Sequence, residues 1–97
     1  MTKADIVSQI AEQTGMEKHD VQITVEAFMH TVRDNVERGD NVYLRGFGSF
    51  IVKTRAAKTG RNILAKKSIR IPAHNIPAFK PAKEFLDNVK AKVAVKA

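Results

Sequence analysis

The chain contains no cysteine, which removes disulfide scaffolds, thiolate metal sites and cysteine nucleophiles together and fits a reducing cytoplasm. No apolar run approaches the roughly 20 residues that a membrane-spanning helix needs. The opening stretch includes Lys3, Asp5, Glu12, Glu17, Lys18 and Asp20, so it holds no signal-peptide apolar core. A soluble protein that stays in the cytoplasm is expected. Phosphate-loop, catalytic-triad and metal motifs are all missing. His19, His30 and His74 are scattered without ligand spacing and read as ordinary surface or turn residues. No enzymatic activity, metal or cofactor is expected.

Acidic residues are scarce too, but only in one half. Residues 1–48 carry five Lys/Arg against eight Asp/Glu, whereas residues 49–97 carry twelve against two. Between Lys53 and Arg70 there are seven basic residues and no acid. The net charge of +7 calls for a polyanionic partner, either nucleic acid or an anionic membrane surface. A membrane-surface reading lacks its usual device, an amphipathic helix with a Lys/Arg face and bulky apolar anchors. The 97 residues suffice for one domain with a modest core, so a partner subunit is plausible.

Thr2 can cap a first helix with Asp5 as its capping-box partner, and Ile6, Val7, Ile10 and Ala11 follow at helical spacing up to a stop at Gly15. A second helix is expected from Lys18 to Arg38. Its apolar stripe is Val21, Val25, Phe28, Val32 and Val36, broadened by Ile23, Ala27 and Met29, and Gly39 ends it. The pattern then turns β-like, with Val42, Leu44 and Phe50-Ile51-Val52 around Gly46-Phe47-Gly48. A long strand should run on through Lys53 to Thr59, turn at Gly60-Arg61-Asn62 and return over Lys66–Ile71. Pro72 and Pro77 confine the end of that strand to an edge. Pro81 suits the first turn of a third helix with Phe85, Leu86 and Val89 on its apolar face.

Alternation along strands puts Lys53 and Arg55 on one face of the outgoing strand, and Lys66, Ser68 and Arg70 on one face of the return. If the strands pair with those faces together, the ribbon is basic on one side. Val52, Thr54, Ala56, Ile69 and Ile71 make the other side weakly apolar. A two-stranded ribbon is marginal alone in water. This one is expected to project and become ordered on a ligand. A solvated edge hairpin needs one or two lysines to blunt aggregation; seven cations exceed that need. On these residues alone RNA and DNA both remain open.

The stretches Gly46-Phe47-Gly48-Ser49-Phe50 and Arg55-Ala56-Ala57-Lys58-Thr59-Gly60-Arg61-Asn62 closely resemble the signature of the bacterial histone-like HU/IHF family, on its HU side. Ile71-Pro72-Ala73, Phe79-Lys80-Pro81-Ala82-Lys83 and the opening Thr2-Lys3-Ala4-Asp5-Ile6-Val7 resemble it too. The likeness runs from Met1 to about Lys92. It implies an α+β fold in an intertwined homodimer: a helical base (residues 1–39), a small antiparallel sheet (40–80) with a protruding two-stranded β-arm at about 53–71, and a C-terminal helix (81–92). The implied function is binding of double-stranded DNA through the minor groove and phosphate backbone, with bending and little sequence preference, in the nucleoid. Minor-groove kinking by apolar wedges is characteristic of that family rather than read from these residues.

Carried over by position, the resemblance makes Arg55, Lys58 and Arg61 groove and phosphate contacts along the arm, and Lys53, Asn62, Lys66, Lys67 and Arg70 of the same segment are expected to join them as DNA contacts. Lys3, Lys80 and Lys83 would hold flanking backbone, and the amides near Gly46 and Gly48 would be phosphate donors. Phe47, Phe50 and Phe79 match the family's dimer-core aromatics. Ile63 stands where the family usually has an intercalating proline, and Ile is itself a wedge residue type. The competing readings are an IHF-like sequence-selective factor, a heterodimer with a paralogue and an RNA-binding protein.

Overall fold

The computed structural model describes residues 1–62 and 67–95, with residues 61, 62 and 67–69 described by backbone alone. The chain divides into two compact units, Met1–Asn35 and Val36–Ala97.

The first unit holds α1 (Lys3–Thr14) and most of α2 (Lys18–Glu37). The cap of α1 is the one expected: the Thr2 hydroxyl accepts from the Asp5 amide, while the Thr2 N–H and hydroxyl both donate to the Asp5 carboxylate, at 2.9 and 3.0 Å. Gly15 closes the helix in the left-handed conformation, φ +75°, which a residue with a Cβ adopts only under strain. Each helix buries one valine, Val7 and Val21. Ile23, Phe28 and Met29 on α2 remain about half exposed.

The second unit is the β region. Strands β1 (Val42–Leu44), β2 (Gly48–Arg55) and β5 (His74–Pro81) form an antiparallel sheet in the order β1-β2-β5. Strands β3 (Lys58–Asn62) and β4 (Lys67–Ile71) pair with each other as a separate ribbon. Asn41 ties the start of β1 to β2 by accepting from the Val52 amide at 3.0 Å. Helix α3 (Lys83–Lys92) follows β5 directly. The expected α+β class is therefore what the chain adopts.

Three local expectations need correction. The long outgoing strand is interrupted at Ala56-Ala57, because the opposite strand is interrupted at Pro72-Ala73 and Pro72 has no N–H to donate to a ladder. Gly60-Arg61-Asn62 is not a turn but the end of β3. The chain's left-handed glycines are Gly15, Gly39 and Gly46, so Gly60 spends none of its freedom on a turn. Pro81 ends β5 rather than opening α3, whose N-cap is Ala82.

Candidate nucleic-acid interface

Cross-strand register sorts the three-stranded sheet into two unlike faces. Val42 pairs with Phe50 and Phe50 with Phe79, while Gly48 pairs with Leu44 and Pro81. Directly opposed residues share a face. One face therefore carries Val42, Leu44, Phe50, Val52, Pro77 and Phe79. The other carries Tyr43, Ser49 and Lys80 in one row, then Ile51 with Ala78, Lys53 with Ile76, and Arg55 with His74. That second face has three cations, an aromatic hydroxyl and no carboxylate. Lys53, Arg55, His74 and Lys80 are all exposed.

At one end of this face lies an open groove of about 440 Å³, lined by Tyr43, Arg45, Gly46, Ser49, Lys80 and Lys83 among others. It forms because β1 and β2 are joined by a tight turn in which the Phe47 amide donates to the Leu44 carbonyl at 2.9 Å. Gly46 sits there at φ +81°, where a turn of type II requires glycine. The Ala82 amide donates to the Phe47 carbonyl at 2.9 Å and so fastens the start of α3 beside the turn. No side chain caps that helix, so its first amides keep their donor capacity toward an anion. Lys80 and Lys83 are brought together here as the sequence suggested. Arg45, Tyr43 and Ser49 join them, although sequence reasoning had not placed them in the site.

Gly48 is buried, and packing explains why it must be glycine. A Cβ there would lie 2.5 Å from Phe79 Cζ and 2.6 Å from the Lys80 carbonyl oxygen. The glycine lets β5 carry Phe79 across β2 at close range.

The ribbon continues from the Arg55–His74 rung, which ends the β2–β5 ladder. Its register pairs Lys58 with Ile71, Thr59 with Arg70, Arg61 with Ser68, and Asn62 with Lys67. The expected one-sided basic ribbon is corrected by this register. Lys58 falls on one face and Arg70 on the other, because the return strand pairs with β3 and not with Lys53–Arg55. The ribbon is cationic on both sides. Residues Lys53–Thr59 are exposed throughout. Ile63 and Lys66 lie outside the described residues.

On the sheet's other face the phenylalanines cluster. Ring centroids of Phe47 lie 5.2 Å from Phe79 and 5.5 Å from Phe85, and Phe50 lies 5.0 Å from Phe79. Such ring pairs add about 0.5–1.5 kcal/mol each beyond the area they bury. Phe85 on α3 enlarges the expected Phe47–Phe50–Phe79 set. Yet Phe47, Phe79 and Phe85 remain 46%, 40% and 37% exposed in the single chain.

Lys3, in the first unit, forms an ion pair with Glu26 at 3.5 Å, an exposed pair of the kind that contributes at most about 1 kcal/mol. Among the described residues, no group of three or more His, Cys, Asp or Glu could hold a metal ion. No described helix is long and apolar enough to cross a membrane.

Residues 1–90 match the family described as bacterial DNA-binding protein. The chain is 46% identical over 90 residues to the DNA-binding protein HU of Thermus thermophilus, covering 93% of each. It is 40% identical over 89 residues to the DNA-binding protein HU of Clostridium pasteurianum, covering 92% of this chain and 98% of that one. Among solved structures it is similar to an Anabaena HU–DNA cocrystal structure, with a TM-score of 0.86 at 34% identity over 97% of this chain and 100% of that one. With the motifs, the fold and nearly the whole length in agreement, the chain belongs to the HU/IHF family of bacterial DNA-binding proteins.

Proposed function

We propose that this protein is a histone-like, nucleoid-associated architectural factor that binds duplex DNA with little sequence preference and bends or compacts it. The observation that carries this reading is the set of cations at Arg45, Lys80 and Lys83 by the groove, Lys53 and Arg55 on the sheet face, and Lys58 and Arg70 on the ribbon, whose strands also carry Arg61 and Lys67. No acidic residue stands on those strands. Phosphates recognise such a surface without regard to base sequence. The small residues of the ribbon, Ala56, Ala57, Thr59 and Gly60, suit a minor groove about 6 Å wide, where arginine gains from the enhanced negative potential. Lys3 adds a phosphate contact from the first unit once DNA displaces Glu26.

The working unit is a homodimer. A four-ring aromatic cluster left more than a third exposed at three of its rings calls for cover, and a second copy offers the same apolar faces in return.

The test is a salt titration of binding to a random-sequence duplex. Neutralising about eight phosphates gives a slope of log K against log salt of about −7, and an affinity that barely changes with salt sinks the reading. Competition at fixed salt should rank nicked or four-way-junction DNA above double-stranded RNA. Discrimination of one duplex sequence from random DNA by several orders of magnitude would instead mark a sequence-selective factor.

A further inference from the structure

His74 opens β5 at the root of the ribbon, directly opposite Arg55 and two rungs from Lys53, on the cationic face of the sheet. Its ring is held: Nδ1 lies 3.0 Å from the Pro72 carbonyl oxygen. A carbonyl only accepts, so Nδ1 carries the proton and the neutral ring presents Nε2 as a bare acceptor. Among the described residues Nε2 makes no hydrogen bond. A lone pair offered to a phosphate is repelled, whereas a second ring proton turns the same atom into a charged donor.

We propose that His74 is a proton-gated phosphate ligand. The imidazolium and the Arg55 guanidinium grip one backbone phosphate where the ribbon leaves the sheet, and DNA binding takes up a proton there. The assignment rests on the DNA-binding reading above. The titratable groups on the strands around it are Lys53, Arg55 and Lys58 on the outgoing side, Arg70 on β4 and Lys80 on its own strand, and none is acidic. In the free protein nothing on these strands rewards a positive charge at this position. A phosphate oxygen between His74 and Arg55 reverses that balance, because like charges facing each other across a ladder are stabilised by a shared anion. The Pro72 hydrogen bond fixes the ring in both states, so charging requires no rearrangement.

The experiment measures binding of a labelled random duplex across a salt series at about pH 6 and pH 8, the range in which imidazole changes charge. The wild-type protein should bind more tightly at the lower pH. Each engaged His74 should steepen the salt slope by about 0.9 and strengthen binding by about eightfold at 0.1 M salt. H74Q should show the same slope at both pH values, and H74K should show the steeper slope at both. His19 and His30 remain in every variant, so a pH-dependent slope that H74Q retains overturns the assignment. So does binding by the wild type with one slope at both pH values. Failure of the wild type to bind DNA at either pH overturns the functional reading and this assignment with it.

Discussion

The three-stranded sheet and the two-stranded ribbon are continuous in sequence, but they differ in what each has to pack against. The sheet has an apolar face that gathers Phe50 and Phe79 with Phe47 and Phe85, and a glycine at the one place where a Cβ would force β2 and β5 apart. The described part of the ribbon gathers no aromatic side chains, and its register sets Lys58 and Arg70 on opposite faces. A lone pair of strands is marginal in water, so the sheet's order comes from protein packing, whereas the ribbon would gain its support from the DNA proposed to bind it. The cut between them is physical. Ala56-Ala57 faces Pro72-Ala73, and Pro72 supplies no amide to carry one ladder into the other.

The strongest way to break this contrast is at the aromatic cluster. Phe79→Ala should cost about 3–5 kcal/mol, the range for emptying a covered aromatic site, and should shift the protein toward monomer. Denaturant melts at two protein concentrations, with sedimentation of the same samples, check this. A loss near 1 kcal/mol with no concentration dependence would mean that the rings stay as exposed as they are in the single chain.

The next largest effect belongs to the ribbon and should leave stability alone. Replacing Arg55 and Arg61 together by alanine should weaken binding to every duplex on the order of 100-fold at about 0.1 M salt, flattening the salt slope by about 0.9 for each phosphate no longer neutralised. The melting midpoint should stay put, since the described part of this ribbon supports no core. A parallel loss of stability would show that the ribbon is part of the packed body after all.

Which of these features could be seen in the sequence depends on how far apart the cooperating residues are. The helices were legible because their signals are local: Thr2 and Asp5 at capping distance, valines at helical period, Gly15 and Gly39 past the ends. The basic ribbon was legible as a run of charge. That its charge falls on both faces was not, because faces depend on register, and register was set by the break at Ala56-Ala57 and Pro72. Arg45, Tyr43 and Ser49 were invisible for the same reason. Tyr43 meets Ser49, and Ser49 meets Lys80, only once three strands pair. His74 read as scattered because its neighbour Arg55 lies across a ladder, far along the chain. A signal was present in each case, namely the alternation of Val42-Tyr43-Leu44 and of Lys53-Thr54-Arg55, but only long-range pairing says which alternating residues meet.

A smaller effect returns to the sheet. Gly48→Ala places a methyl group against the Phe79 ring and the Lys80 carbonyl. The strain should cost about 1–3 kcal/mol, seen as a drop in melting temperature of about 4–8 °C for each kcal/mol. Because Lys80 lies on the strand that must move, DNA affinity should fall with it. Unchanged stability would mean that β5 can retreat from β2 without disturbing the cluster.

The smallest effect lies outside both strand systems, at the start of α1, and its sign follows from the hydrogen bonds. The Thr2 backbone N–H, and then the Thr2 hydroxyl, donate to the Asp5 carboxylate and hold its carboxyl below the ordinary range. Folding therefore favours the ionised form. The stabilisation is complete above the unfolded carboxyl's value of about 3.9 and is lost as pH falls through the lower folded value. Asp5→Asn should thus be less stable than the wild type at neutral pH, and the gap should close under acid, where the wild-type side chain is also neutral. Because other carboxylates titrate in both proteins, the difference between the two melting curves isolates this one. A gap of the same size at pH 7 and in strong acid would mean that the aspartate acts through shape rather than charge, and the capping box would then owe nothing to ionisation.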